Sequence, residues 1–364
     1  MTLATAAPLA RPCVVCIPAR NEEERLPILL ASLAGQEGFA AEAPLRVVIL
    51  ANNCTDNTVP AIRALEDAGA LASLTLRVIE AALEGAEAHV GTARRMALDA
   101  GAAWLEAEGA SDGILLTTDA DARLPADWVA ANLRALRAAD VVGGRLVIDA
   151  DGTADPRLAE LHARIERYWA GVRRLEDILD PPPHDPAPRH GDHTGASLAV
   201  PVALYRAVGG LPPLPCGEDN ALVSLLRESG ARLRHCPDVR VMVSARHQGR
   251  VSGGMATEMA RRARVLDGEP YLLPEAAHWR TLILRRAALR RAFHLVGSAR
   301  AEACARLGLG PDACAALETC PNDIAFVERA DRILESRSPP ARECPLDRAL
   351  ADLDALALSL REAA

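Results

Sequence analysis

Short apolar runs alternate with longer amphipathic stretches through the first half of the chain. Residues 13–17 form an apolar run that stops at Pro18, and a helical pattern follows over about 22–34, with Asn21 placed to cap it and acids in its first turn. Residues 45–50 read as a second strand, closed by the polar turn Asn52-Asn53-Cys54-Thr55-Asp56. The next helix runs to about Ala68, with Asp56 or Thr58 as its cap. A third strand over 74–79, a third helix over 91–108 and a fourth strand over 113–118 lead into Asp119-Ala120-Asp121. Strands separated by helices of this length predict βαβ crossovers and a mostly parallel sheet.

Further on, 141–148 reads as a strand, and Asp155-Pro156 opens a long helix to about Leu179, with proline in its first turn. The stretch 180–193, DPPPHDPAPRHGDH, cannot hold regular structure and is expected to be a loop. A strand at 197–200, a helix over 217–230 ending on glycine and a late strand at 239–243 follow. From about Gly253 the pattern is almost entirely helical. No repeat and no clear linker occurs before about residue 265, so the expectation is one α/β domain over 10–265 and a helical region over 266–364.

Composition narrows the function classes. The formal charge is -8 over 364 residues and every one of the 41 Lys-plus-Arg positions is arginine. An acidic chain has no global field for nucleic acid, although a local arginine patch can serve a nucleotide. Nine cysteines are scattered, and Cys13 and Cys16 stand in a strand, where i and i+3 point to opposite faces. They are expected to be buried free thiols rather than metal ligands. No apolar run approaches the ~18–20 residues of a membrane span and no signal-peptide pattern opens the sequence, so the cytoplasm is expected. Neither G-x-G-x-x-G after the first strand nor a P-loop motif is present.

In open α/β sheets ligands bind at the carboxyl ends of the strands. Four polar groups fall there: Pro18 to Glu22 with Arg20 and Asn21, Asn52 to Asp56, Asp119 with Asp121, and His89 with Arg94 and Arg95 beside the third helix. Two carboxylates at i and i+2 straight after an apolar strand suit one hard cation, Mg2+ or Mn2+, which keeps its other positions for water and phosphate oxygens. Such an ion neutralises a diphosphate leaving group. The same pair also fits a solvated acidic turn.

Four motifs, in order over roughly residues 13–250, resemble glycosyltransferase family 2 with its GT-A fold. They are VVCIPARNEEERL at 14–26, ILANNCTDNT at 49–58, LLTTDADARLPADWV at 115–129 and VGGLPPLPCGEDNALVSLLRESG at 208–230. The resemblance implies a Rossmann-like α/β domain with a mostly parallel central sheet and flanking helices. It implies a metal-dependent, inverting transfer of a sugar from a UDP-, GDP- or dTDP-sugar donor to an acceptor hydroxyl. Pro18, Arg20, Asn21, Glu22, Asn52, Asp56, Arg94 and Asp119 would hold the nucleotide-sugar, and Asp119 and Asp121 the metal. The family's first pair of acids aligns with Ala51 and Asn52; an asparagine amide can both donate to and accept from a base edge.

Glu218-Asp219 is the acid–base candidate, because in the family it resembles the Asp of this pair takes the acceptor proton. An acid before an apolar helix is also an ordinary N-cap, and a helix N-terminus weakens a base. His247, after the last strand, is a candidate third metal ligand, and Arg246 and Arg250 are candidate diphosphate contacts. His184, His190 and His193 have no standard zinc spacing, so their loop reads as an acceptor loop or lid. The segment Trp279–Val296 interleaves apolar residues with five arginines, which fits either a weak association with an anionic membrane surface or a packed helix with arginine outward. Two other classes stay open: a sugar-1-phosphate nucleotidyltransferase, which usually carries a glycine-rich N-terminal loop and a lysine, and a non-catalytic nucleotide-sugar-binding protein.

Overall fold

A computed structural model of the chain describes residues 11–149, 156–244 and 255–362. It divides into two compact units: residues 1–150, 188–223 and 233–257 form the first, and 151–187, 224–232 and 258–364 the second.

The first unit opens with β1 (Cys13–Ala19), α1 (Leu26–Ala34), β2 (Leu45–Asn52), α2 (Thr58–Asp67), β3 (Leu74–Ala81), α3 (Val90–Ala107), β4 (Ile114–Thr117), α4 (Trp128–Ala135) and β5 (Val141–Asp149). The chain leaves through α5 (Pro156–Leu179) and returns for β6 (Leu198–Pro201), α6 (Val202–Ala207), the first turns of α7 (Glu218–Glu228) and β7 (Leu233–Ser244). The strands form a seven-stranded sheet in the order β3-β2-β1-β4-β6-β5-β7. Only β6 runs against its neighbours. The mostly parallel α/β architecture read from the sequence is what the chain adopts.

A parallel sheet covered on both faces needs apolar residues at every position, and β1 is buried at all seven of its residues. On one face, Val15 and Ile17 pack with Leu26, Leu29, Leu30 and Leu33 of α1 and with Trp128 and Val129 of α4. On the other, α3 comes so close that a Cβ on Gly101 would lie 2.6 Å from Cys16 Sγ and 3.0 Å from Val14. Cys13 and Cys16 are both buried, one on each face, and burial pushes the Cys13 thiol up to about 12. These are the inert thiols that the spacing predicts.

Three elements depart from the sequence pattern. The first helix starts at Leu26 rather than near Glu22, because the N–H groups of Glu22 and Glu23 donate to Thr58 Oγ1 (2.8 Å) and Asp56 (3.0 Å) instead. Asn21 therefore does not cap it; Arg25 is the N-cap and makes no side-chain cap bond. The last strand starts at Leu233 rather than 239, and the register jumps from Gly144↔Cys236 to Arg145↔Arg240. The bulge at Pro237–Val239, with polar Arg234 and His235 before it, hides the strand's first half from pattern reading. α4 has too few residues to show a periodic face.

The second unit holds α5, most of α8 (Met255–Leu266), β8 (Leu272–Pro274), α9 (Ala276–Phe293), α10 (Gly297–Arg306), α11 (Pro311–Leu317), α12 (Asp323–Glu335), β9 (Glu343–Pro345) and α13 (Leu346–Glu362). One core gathers Leu161, Ile165 and Tyr168 of α5 with Leu350 and Leu353 of α13. The arginine-rich helix is α9, and most of its arginines meet carboxylates. Arg286 pairs with Asp331 at 2.6 Å, Arg290 with Asp323 at 2.6 Å and Asp180 at 3.2 Å, and Arg285 with Asp331 at 2.5 Å. Arg280 and Arg291 are exposed. Among the described residues no helix is long and apolar enough to cross a membrane.

Candidate active site

The loops after β1 and β2 are stapled to one another at the carboxyl edge of the sheet. Asn21 (φ 53°) and Asn53 (φ 51°) occupy the left-handed region, which asparagine tolerates better than most side chains. The Asn21 amide donates to Thr55 Oγ1 (3.2 Å) and accepts from Thr55 N–H (2.8 Å). Asn53 does the same with Leu83, donating to its carbonyl (2.9 Å) and accepting from its N–H (3.1 Å). Asp56 accepts from Glu23 N–H (3.0 Å), Thr58 N–H (3.0 Å) and Thr58 Oγ1 (2.6 Å). Burial works to raise the Asp56 carboxyl, but these hydrogen bonds outweigh it and hold it below its ordinary value.

A stability prediction follows from this knot. Asp56→Ala is expected to lower unfolding free energy by about 1–2 kcal/mol near pH 7, from the lost cap and charged hydrogen bonds. A depressed carboxylate contributes stability that is present above the unfolded value near 3.9 and lost as pH falls through the lower folded value. Urea titrations of both proteins should therefore differ at pH 7, begin to approach one another below about pH 4 and converge only once pH has passed below the depressed folded value. An equal gap at both pH values would show that the charged form is not what the loop holds.

Arg94, on the first turn of α3, is 4 % exposed and joins four partners. Its Nη2 donates to Asp119 Oδ1 (2.6 Å) and its Nε to Glu218 Oε1 (3.1 Å). Nη1 donates to Thr117 Oγ1 (2.9 Å) and Gly195 O (2.9 Å). Burial opposes the charge, but Asp119 and Glu218 outweigh it and keep the guanidinium protonated. A Cβ on residue 195 would lie 2.4 Å from Arg94 Cζ, so only glycine leaves room for the fork. The α3 entrance is fixed by His89, which accepts from Thr92 N–H (3.3 Å), and by Arg95, whose guanidinium donates to Leu211 O (3.0 Å) and Gly209 O (3.2 Å).

Glu218 and Asp219 begin α7 and differ in surroundings. Glu218 is 5 % exposed. Burial pushes its carboxyl up, Arg94 pulls it back, and the adjacent Asp219 pushes it up again. Asp219 is half-buried; its Oδ2 accepts from Gly195 N–H (2.8 Å) and its Oδ1 from Asn220 N–H (2.7 Å). Each of its oxygens keeps a lone pair for another donor. The Gly195 peptide thus joins both halves of the site, giving its N–H to Asp219 and its carbonyl to Arg94. Its turn is pinned from beneath by Trp128 Nε1, which donates to Ser197 Oγ (3.0 Å), and by Gly144 N–H, which donates to Ser197 O (2.9 Å).

The structure thus brings Arg94, Asp119, Glu218 and Asp219 together. Asp119 has a side chain 39 % exposed, and Asp121 is half-buried in the turn that follows β4. Pro18 and Glu22 are buried, Arg20 is exposed, and Asn52 lies 3 % exposed at the end of β2. Arg246, His247 and Arg250 lie outside the described residues. Among the described residues no group of three or more His, Cys, Asp or Glu side chains is arranged to hold a metal. The loop histidines make local contacts: His193 Nδ1 meets His235 Nε2 at 3.0 Å, and His190 Nδ1 accepts from Asp192 N–H at 3.0 Å. Thr117 and Trp128 lie within the LLTTDADARLPADWV motif without a role of their own being legible there, and Gly195 and Ser197, in a short turn before β6, carry no signal in the sequence.

Residues 14–185 match the model of glycosyl transferase family 2. That stretch is a glycosyl transferase family 2 domain. It is a glycosyltransferase domain on a mostly parallel α/β sheet, which favours the transferase reading over the nucleotidyltransferase and non-catalytic ones. No curated protein matches the chain. Solved structures similar to this chain include the mannosyltransferase PcManGT from Pyrobaculum calidifontis in complex with GDP-Man and Mn2+, at 17% identity over 93% of this chain and 92% of that one, TM-score 0.44. TarS 1–349 from S. aureus in complex with UDP-GlcNAc is 16% identical over 90% and 92%, TM-score 0.46. Glucosyl-3-phosphoglycerate synthase from Mycobacterium tuberculosis in complex with Mg2+ and UDP is 16% identical over 74% and 85%, TM-score 0.37.

Proposed function

We propose that this glycosyltransferase moves a sugar from a nucleotide-diphosphate sugar to an acceptor hydroxyl with inversion, and that Asp219 is the base. The observation that carries the reading is the Arg94 fork, which holds Asp119 and Glu218 on one guanidinium. That fork sets the acid at the end of β4 against the acid pair at the start of α7. The acceptor oxygen bonds to the anomeric carbon as the bond from that carbon to the diphosphate oxygen breaks. The hydroxyl proton passes to the Asp219 carboxylate, and the nucleoside diphosphate leaves.

Asp219 suits the proton transfer because it is half-buried, with a free lone pair on each oxygen, whereas Glu218 is buried and paired with Arg94. Asn52, at the end of β2, offers an amide to the base edge. Arg94 acts as a positioning residue.

The donor set fits a hard cation. Arg94 engages Oδ1 of Asp119, Asp121 stands two residues on in the same turn, and Mg2+ or Mn2+ is commonly held by one or two carboxylates plus substrate phosphates. When bound, such an ion neutralises the departing diphosphate.

The test is a thermal-shift panel of UDP-, GDP- and dTDP-sugars with and without Mn2+. One donor at about 100 times its Kd should raise Tm by roughly 5 °C in the presence of metal, from about 2.7 kcal/mol of linkage. Asp121→Ala is expected to abolish the metal-dependent part and leave the ligand-free Tm within about 1 °C. Absence of any metal-dependent stabilisation removes the reading.

A further inference from the structure

The β5–β7 ribbon carries two arginines that nothing in the described protein neutralises. Arg145 and Arg240 are direct partners in the parallel register and both are exposed. Neither makes a hydrogen bond or an ion pair, in contrast to Arg94, Arg286 and Arg290. Asp238, exposed in the bulge before Arg240, pairs with neither. Like charges set directly opposite on a sheet repel. On a chain of net charge -8, such a pair without a counter-charge marks a place where an anion is stabilised.

Their place on the sheet says which anion. Thr117 and Gly143 both lie opposite Leu198, so the two positions share one face and one level. On β5 and β7, Val142, Leu146, Val239 and Val241 pack into the core on the α1 and α4 face, which leaves Arg145 and Arg240 on the opposite face by strand alternation. Thr117 and Asp119 point to the side on which Arg94 reaches them. Arg145 and Arg240 therefore stand on the same face and at the same end of the sheet as that cluster, about 10 Å and about 14 Å from β4 by strand spacing. The strand order puts Asn52 on one side of β4 and the two arginines on the other. With the nucleotide at the β1–β2 end and its diphosphate at β4, the β5–β7 end is left to the acceptor.

We propose that Arg145 and Arg240 bind an anionic group, phosphate or carboxylate, carried by the acceptor whose hydroxyl is glycosylated. The assignment rests on the glycosyl transfer proposed above. Arginine suits both anions, since its planar fork matches either oxyanion. Val147, 37% exposed and opposite Met242 in the register, gives the same face an apolar flank for the rest of the acceptor.

The experiment uses the full chain, saturated with Mg2+ and with the nucleoside diphosphate that stabilises it most. Inorganic phosphate is titrated at constant ionic strength with Tm as the readout, and succinate serves as the carboxylate arm. One of the two anions should saturate, and Arg145→Ala/Arg240→Ala should weaken its apparent affinity about tenfold while leaving the nucleotide shift unchanged. Arg145→Gln/Arg240→Gln, which keeps most of the side-chain volume, should behave alike and guards against a folding defect. Failure of both anions to exceed chloride, or an unchanged response in the double variants, overturns the assignment. Loss of the nucleotide shift in folded double variants also overturns it, by giving the arginines to the donor. If no nucleotide stabilises the wild type, the transfer reading fails on its own, and the anion titration without nucleotide still decides whether the arginines bind.

Discussion

Arg94→Ala is expected to destabilise the protein by about 3–5 kcal/mol, because it strands a buried carboxylate, Glu218, whose charged partner among the described residues is removed. Glu218 is 5 % exposed and already pushed up by burial, so the loss of Arg94 leaves its charge unsupported. Asp119, more exposed, contributes less of the effect. Adding Glu218→Gln removes the stranded charge and should return about 1–2 kcal/mol, which a double-mutant cycle in urea reads directly. Arg94→Lys keeps a charge but not the planar fork that serves four partners, and should recover only part of the loss. The sign with pH is also fixed. Without Arg94 the folded-state carboxyl of Glu218 lies further above the unfolded value near 4.3, so the defect should grow as pH rises through that value. Transfer should fall by roughly a hundredfold even where the fold survives, because Asp119 and Glu218 lose their common anchor. A wild-type urea midpoint for Arg94→Ala would show that the fork does not hold the site.

The second large effect separates chemistry from architecture. Asp219→Asn keeps a side-chain oxygen able to accept from Gly195 N–H or Asn220 N–H, so the unfolding free energy should change by less than about 1 kcal/mol. The amide cannot take a proton from the acceptor, and the transfer rate should fall by about 10²–10⁴. Nucleoside diphosphate release measures that rate, while the thermal shift of the donor should stay at the wild-type value. An undiminished rate in Asp219→Asn would remove the base from the scheme and turn attention to Glu218.

The legible part of the site was the part written as local pattern. An apolar run that ends in two acids places Asp119 and Asp121 at a strand's carboxyl end whatever the rest of the chain does, since a buried parallel strand must finish before a charge can reach water. The pattern at 217–230 likewise set Glu218 and Asp219 at a helix start. Roles within these motifs were not legible. Asn21 reads as a helix cap, yet its amide closes on Thr55, 34 residues away. Asp56 reads as a ligand or a cap, and its carboxylate ties the two strand-end loops together. Such bonds join residues far apart in sequence, and no spacing rule announces them.

Sequence alone determined the alternation of strands and helices, the mostly parallel sheet, the edge at which the polar motifs gather and the motifs that resemble glycosyltransferase family 2. Those features follow from periodicity and from residue chemistry within a few positions. Only the tertiary structure decided that Arg94 is the shared partner of Asp119 and Glu218, that Gly195 links it to Asp219, and that Arg145 faces Arg240 unneutralised. A buried charge is tolerated only where opposite charges converge on it from several elements. Convergence of that kind is a property of the sheet's register and of α3's approach to it.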